Sequence, residues 1–93
     1  MEILHEQTDT KGAFVVREDD ELLAEMTYSK AGTGMIIIDH TDVSEKLRGQ
    51  SVGKKLVASA VDYARENKIK ILPLCPFASS VFKKVPEFGD VSN

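Results

Sequence analysis

The sequence predicts a mixed α/β (α+β) domain in which an antiparallel amino-terminal hairpin leads into a strand, helix, strand crossover. Three observations predict it. Two strand-like runs flank the polar pair Asp19-Asp20, a β-branched run occupies Met35-Ile36-Ile37-Ile38, and an apolar repeat of three and four begins at Val52 and fades near Asn67. The chain has 93 residues, enough for one core, so residues 1–93 are expected to form a single domain.

The hairpin pairs residues 12–18 with residues 21–28. In the second run Leu22, Ala24, Met26 and Tyr28 fall on one face, the period of two expected of a half-buried strand. Residues 3–7 are a candidate for a short edge strand. After the polar loop 29–34, the run from Met35 to Ile38 predicts a central strand covered on both faces. The helix follows, burying Leu56, Val57, Ala60, Val61 and Ala64 and turning Lys54, Lys55, Ser59, Asp62 and Glu66 to the other side.

Residues 69–75 predict a second strand, in which Pro73 removes one ladder donor and suits an edge or a place where strands separate. A strand, helix, strand order implies a right-handed crossover joining parallel strands. Residues 77–88 are expected to hold a short helix stopped by Pro86.

Composition narrows the function. Hydrophobic residues make up 42% and charged residues 29%, which is ordinary for a globular domain. A net charge of −3 argues against a general nucleic-acid binder. The charge is unevenly placed: Glu18, Asp19, Asp20, Glu21 and Glu25 cluster, whereas Lys46, Arg48, Lys54 and Lys55 lie in a stretch free of acids. The lone Cys75 excludes an internal disulfide, and no signal peptide, lipid-anchor pattern or long apolar run is present, so a cytoplasmic protein without a membrane partner is expected. One cysteine and two separated histidines do not make a zinc-binding spacing, so no metal site is expected.

In an α/β crossover, ligands gather at the carboxyl ends of the strands. That rule brings Asp39-His40-Thr41, Leu74-Cys75 and the helix start at Ser51-Val52-Gly53 to one crevice. A helix amino terminus favours acids, yet this one carries Lys54 and Lys55 with Arg48 just upstream, a conflict of about 0.3–1 kcal/mol per charge that a bound anion removes. Gly49 and Gly53 permit close approach of backbone to phosphate oxygens. The plainer alternative makes Ser51 a helix cap, Gly49 a turn residue and the lysines a solvated face. A nucleotide P-loop fits more poorly still, because only three residues separate the glycines and Lys55, rather than serine or threonine, follows Lys54.

The segment Arg48-Gly49-Gln50-Ser51-Val52-Gly53-Lys54-Lys55-Leu56 resembles the acetyl-CoA signature of the GNAT N-acetyltransferase superfamily, Arg/Gln-x-x-Gly-x-Gly/Ala, set between an apolar strand and an amphipathic helix. The resemblance covers about residues 35–88, and the whole chain looks like a compact, single-domain GNAT-like subgroup. It implies that backbone N–H groups of Gly49, Gln50, Ser51, Val52, Gly53 and Lys54 surround the pyrophosphate of acetyl-CoA (coenzyme A), with Arg48 and Lys54 supplying charge. It further implies that the pantetheine arm lies along the preceding strand near Thr41 to Val43. Two positions depart from the pattern. Ser51 stands where the family places a glycine, its hydroxyl free to cap the helix or donate to phosphate, and Phe82 stands where many relatives carry a tyrosine.

Acetyl transfer to an amine requires a base and a proton source. His40, at the strand end, is the first candidate for the base and Glu25 the second; Cys75, flanked by Pro73 and Pro76, is the candidate for proton donation or for carrying the acetyl group. The leading reading is an acetyl-CoA-dependent N-acetyltransferase acting on an unidentified amine or protein acceptor. The alternatives are a non-catalytic acetyl-CoA-binding regulator and a protein-interaction module.

Overall fold

The computed structural model describes residues 2–93. One five-stranded sheet carries the fold, ordered β1 (Leu4–Gln7), β2 (Lys11–Glu18), β3 (Glu21–Ala31), β4 (Met35–Val43) and β5 (Lys70–Pro73) from edge to edge. The first four strands are antiparallel; β4 and β5 are parallel and joined by α1 (Val52–Asn67). A second helix, α2 (Pro76–Lys84), and a 3-10 segment, Pro86–Val91, close the chain.

Local chemistry explains the elements. The β2–β3 loop is the pair Asp19-Asp20 with φ of 51° and 66°, a left-handed turn whose twist matches the strands and which aspartate tolerates better than most residues. The α1 boundaries coincide with those of the apolar repeat. Lys68 ends the helix in the left-handed conformation, its N–H reaching the carbonyls of Ala64 and Arg65. Helix α2 begins on Pro76, where a missing N–H costs nothing, and ends in Lys83 and Lys84, which suit its negative terminus.

Core packing occupies one side of the sheet. Met26, Tyr28, Ile36 and Ile38 meet Leu56, Val57, Ala60, Val61 and Ala64 of α1. The expectation of a central strand covered on both faces is corrected here: β4 is internal in order, but Ile37 is only half-buried while its neighbours Ile36 and Ile38 are fully enclosed. The expected stripe from Leu22 to Tyr28 also changes. Arg17 pairs with Leu22 and Val16 with Ala24, so Leu23 is an extra residue, and the bulge turns Leu23 inward and leaves Leu22 44% exposed. Strand β5 stops at Pro73, short of the expected residue 75, because Cys75 is already the cap of α2.

A second bulge positions the site. Thr27 pairs with His40 and Tyr28 with Ile38, which leaves Asp39 without a partner on β3. Beyond this point β4 continues beside β3 to Val43, whereas its pairing with β5 ends at Ile38 and Pro73. The carbonyl of Ile38 accepts from both Leu74 and Cys75 N–H, each at 3.0 Å, and there the two parallel strands part.

Candidate functional site

The parted strands open a cavity of about 530 Å³ between the end of β4, the first turn of α1 and one face of α2. Thr41 and Val43 form its strand wall. Arg48, Gly49, Ser51, Val52, Gly53 and Lys54 form the loop and helix wall, so all but one of the residues expected to hold the cofactor come together. Gln50 lies outside the set: its N–H turns back to the carbonyl of Leu47 at 3.3 Å, closing the turn instead of facing the cavity.

Electrostatics favour an anion at this helix start. The first turn of α1 contains no acid, and the carbonyl of Ser51 already accepts from Lys55, leaving the N–H groups of Val52, Gly53 and Lys54 without an intrahelical acceptor. Of the charged residues on the wall, Arg48, Lys54 and Lys84 are basic and Asp42 is acidic. Arg48 is lightly held by Glu45, at 3.4 Å and largely solvated. Two cations of the patch stay off the wall: Lys55 does not line it, and Lys46 is turned away to Glu21, which joins the basic segment to the acidic one.

Backbone strain marks the motif. Gly49 has φ of 82°, where lack of a Cβ is an advantage, and Ser51 has φ of 54°. The expectation that the Ser51 hydroxyl caps α1 is not met: from a left-handed backbone the side chain makes no cap hydrogen bond. Gly53 also serves packing. A Cβ there would collide with the ring of Phe77, so the glycine lets α2 dock against the first turn of α1.

Cys75 sits where β5 gives way to α2, 6% exposed, with its Sγ 3.4 Å from Thr41 Oγ1. Burial pushes the thiol pKa up, but hydrogen bonding from the Thr41 hydroxyl and from the backbone N–H groups of Ala78 and Phe77 outweighs it, and the net shift is downward.

A family model for GCN5-related N-acetyl-transferases matches residues 13–91. The chain belongs to that family. A solution structure of a GCN5-like protein from Staphylococcus aureus is 39% identical, superposes with a TM-score of 0.73, and is matched over 97% of this chain and 87% of its own. Two more distant likenesses show the common fold. The ribosomal-protein-alanine N-acetyltransferase from Brucella melitensis biovar Abortus 2308 (18% identity, TM-score 0.67) is matched over 84% of this chain and 62% of its own. AAC(6')-Iy, in complex with the bisubstrate analogue CoA-S-monomethyl-acetylneamine (14% identity, TM-score 0.57), is matched over 88% of this chain and 63% of its own. No curated protein sequence matches the chain significantly.

In this GCN5-related N-acetyltransferase the expected catalytic pair is divided by the sheet. Thr41 pairs with Met26, a core residue, and so faces the helices with Cys75; His40 pairs with Thr27 and faces the open side. The bulge at Asp39 is the cause, and His40 is exposed and makes no side-chain contact with the thiol. Glu25, on β3, stands on the open side as well, opposite Asp42. Phe82 faces away from the cavity and packs edge-on against Phe88, so the residue that replaces the family's tyrosine belongs to the core.

Among the wall residues that escape sequence reading are two polar ones on α2. Ser80 and Lys84 line the cavity from α2, four apart and hence on one helical face; that spacing after Cys75 is the only signal of them in the sequence. Asp39, which the sequence places at the crevice beside His40, lines no part of this cavity; hydrogen bonds from Thr27 Oγ1 and Ser29 Oγ orient it on the open side.

Proposed function

We propose that this protein transfers the acetyl group of acetyl-CoA to an amine, and that the cavity between β4, α1 and α2 holds the coenzyme. The observation that carries the reading is the parting of β4 from β5 at Ile38, beside a helix start without acids and a thiol of lowered pKa. The fit of the coenzyme rests on this chain's own groups. The edge of Thr41 to Val43 that faces away from β3 has no strand beside it, free N–H groups open at Val52, Gly53 and Lys54, and Arg48, Lys54 and Lys84 surround them with positive charge.

Acetyl-CoA supplies an activated acyl carbon as a thioester. The protein supplies the rest. Val52, Gly53 and Lys54 N–H groups bind the pyrophosphate, with Arg48, Gly49 and Ser51 completing the turn around it. Thr41 and Val43 guide the pantetheine arm along β4. Thr41 Oγ1 and the amino-terminal N–H groups of α2 hold negative charge on Cys75 Sγ, which suits that sulfur either to take an acetyl group or to pass a proton on. His40, on the opposite side of the opening, takes the proton that the acceptor ammonium must lose before its nitrogen can attack. The setting we infer is cytoplasmic; no helix among the described residues is long and apolar enough to cross a membrane.

Calorimetric titration with coenzyme A tests the binding half, and incubation with acetyl-CoA followed by mass measurement tests the chemistry. Saturable binding that is lost in Lys54→Glu, with one acetyl group appearing on Cys75 or on an added amine, is the expected result. Binding with no transfer to any of a broad amine panel would favour a regulator, and no binding at all would favour a protein-interaction module.

A further inference from the structure

The open side of the sheet carries a second cavity, of about 400 Å³, that the coenzyme site does not use. Its floor follows the strand register. Glu6 pairs with Ala13, Ala13 with Thr27, and Thr27 with His40, so these four residues form one row straight across β1, β2, β3 and β4 on the side away from α1. Three interstrand spacings make the row roughly 14 Å long. Ala13 in its middle has the smallest side chain of the four, so the row dips there into a trough.

The two ends of the trough differ. At the β4 end, Asp39 bends over the cavity, fixed by Thr27 and Ser29 hydroxyls, and no lysine or arginine among the described residues lies within ion-pair distance of it. At the β1 end, Glu6 is already paired with Arg17, and between the two ends Lys11, on β2 opposite Ser29, lines the wall beside Ala13. One end thus offers an uncompensated carboxylate and the other offers none. Asp39 directly follows Ile38, the residue at which β4 and β5 part, so a nitrogen bound by Asp39 lies one residue from that parting, on the open side of the sheet.

From this geometry we propose that the trough across Ala13 is the acceptor site and takes a primary alkylamine, its ammonium on Asp39 and its aliphatic arm lying over Ala13 toward β1. The inference rests on the acetyl-transfer reading and adds the substrate class to it. A monoamine is preferred over an α,ω-diamine, because a second ammonium would meet Lys11 and a carboxylate already neutralised by Arg17.

The test uses n-pentylamine and cadaverine as probes on the full chain. Amide chemical shifts are followed during titration, independently of turnover, and thiol release from acetyl-CoA is followed with each amine. Pentylamine is expected to shift Ala13, Thr27 and Asp39 amides and to bind more tightly than cadaverine. Ala13→Leu, which fills the trough without entering the core, should weaken pentylamine about tenfold or more. Asp39→Asn should weaken it by about two- to fivefold, as befits a solvated ion pair. Both variants should bind coenzyme A as the parent does, and in turnover the loss should appear in KM. The proposal is overturned if pentylamine leaves those amides unmoved, or if the folded Ala13→Leu and Asp39→Asn chains bind it as well as the parent does. Loss of coenzyme binding in the parent would instead overturn the acetyl-transfer reading, and the amine titration still decides the trough.

Discussion

The ring of Phe77 lies so close against Gly53 that no Cβ fits between them, and this contact joins the start of α2 to the start of α1. It makes Gly53 a packing residue within a motif whose glycines suggest phosphate contact. Gly53→Ala should therefore push the partly exposed Phe77 ring aside, and the net cost, after the gain in helix propensity, should be up to about 1 kcal/mol. In a Phe77→Ala background the same change should stabilise by about 0.5–1 kcal/mol, because alanine is the better helix former once the space is free. Urea midpoints of the four chains measure this cycle. Coenzyme titration of the doubly substituted chain separates the two roles: recovered stability with affinity still lost would show that phosphate also requires the glycine.

Ser51 illustrates a different economy. Its φ of 54° is disfavoured for a residue with a Cβ, and its hydroxyl makes no cap bond in return. Ser51→Gly should raise stability by about 1 kcal/mol by removing the left-handed strain, seen as a higher melting temperature. Ser51→Ala keeps the strain and loses no cap, so its melting temperature should stay near that of the parent. If the hydroxyl instead donates to phosphate, Ser51→Ala will weaken coenzyme binding while leaving stability unchanged.

Much of this was legible because it is local. The apolar repeat locates α1 from Val52 to Asn67, the Asp19-Asp20 pair locates the hairpin, and the cation-rich helix start locates the anion site. What could not be read depends on register between distant strands. Nothing near Leu23 or Asp39 in the sequence announces an extra residue; each bulge exists because a partner strand is one residue shorter there. The Asp39 bulge turns His40 away from Cys75, whereas Asp39 itself reaches the open side by ordinary alternation after core-facing Ile38. Contacts such as Cys75 with Thr41, 34 positions apart, and Phe77 with Gly53 arise from the docking of α2, which no periodicity encodes.

The environment of Cys75 predicts a measurable thiol. With its pKa below the ordinary value of 9.0, alkylation by iodoacetamide should rise with pH around a midpoint below 9.0. Thr41→Val removes the side-chain hydrogen bond, and its midpoint should move upward while the fold is retained. A midpoint at or above 9.0 in the parent would mean that burial outweighs the hydrogen bonds. Coenzyme A should slow the reaction, because Thr41, the thiol's partner, lines the proposed cofactor cavity.

At the edge of the sheet, His5 ties β1 to the core. Its ring stacks on Phe14 with centroids 4.2 Å apart, meets Tyr63 edge-on at 4.5 Å, and accepts at Nε2 from the Tyr28 hydroxyl at 2.6 Å. Burial lowers the His5 pKa below 6.5, and nearby Lys30 lowers it further. The Tyr28 phenol is pushed up, first by burial and then by Tyr63, so it remains a donor. A histidine depressed in the folded state binds protons more readily when unfolded. Its contribution is therefore fully present above pH 6.5 and is lost as pH falls through 6.5 toward the folded value. Asp90, held below 3.8 by Arg65, acts in the same direction only at lower pH, so the two windows are distinct. Unfolding midpoints should thus fall between pH 7.5 and 5, and His5→Gln should flatten that slope while costing some stability at pH 7.5. A slope unchanged in His5→Gln would place the pH dependence elsewhere in the molecule.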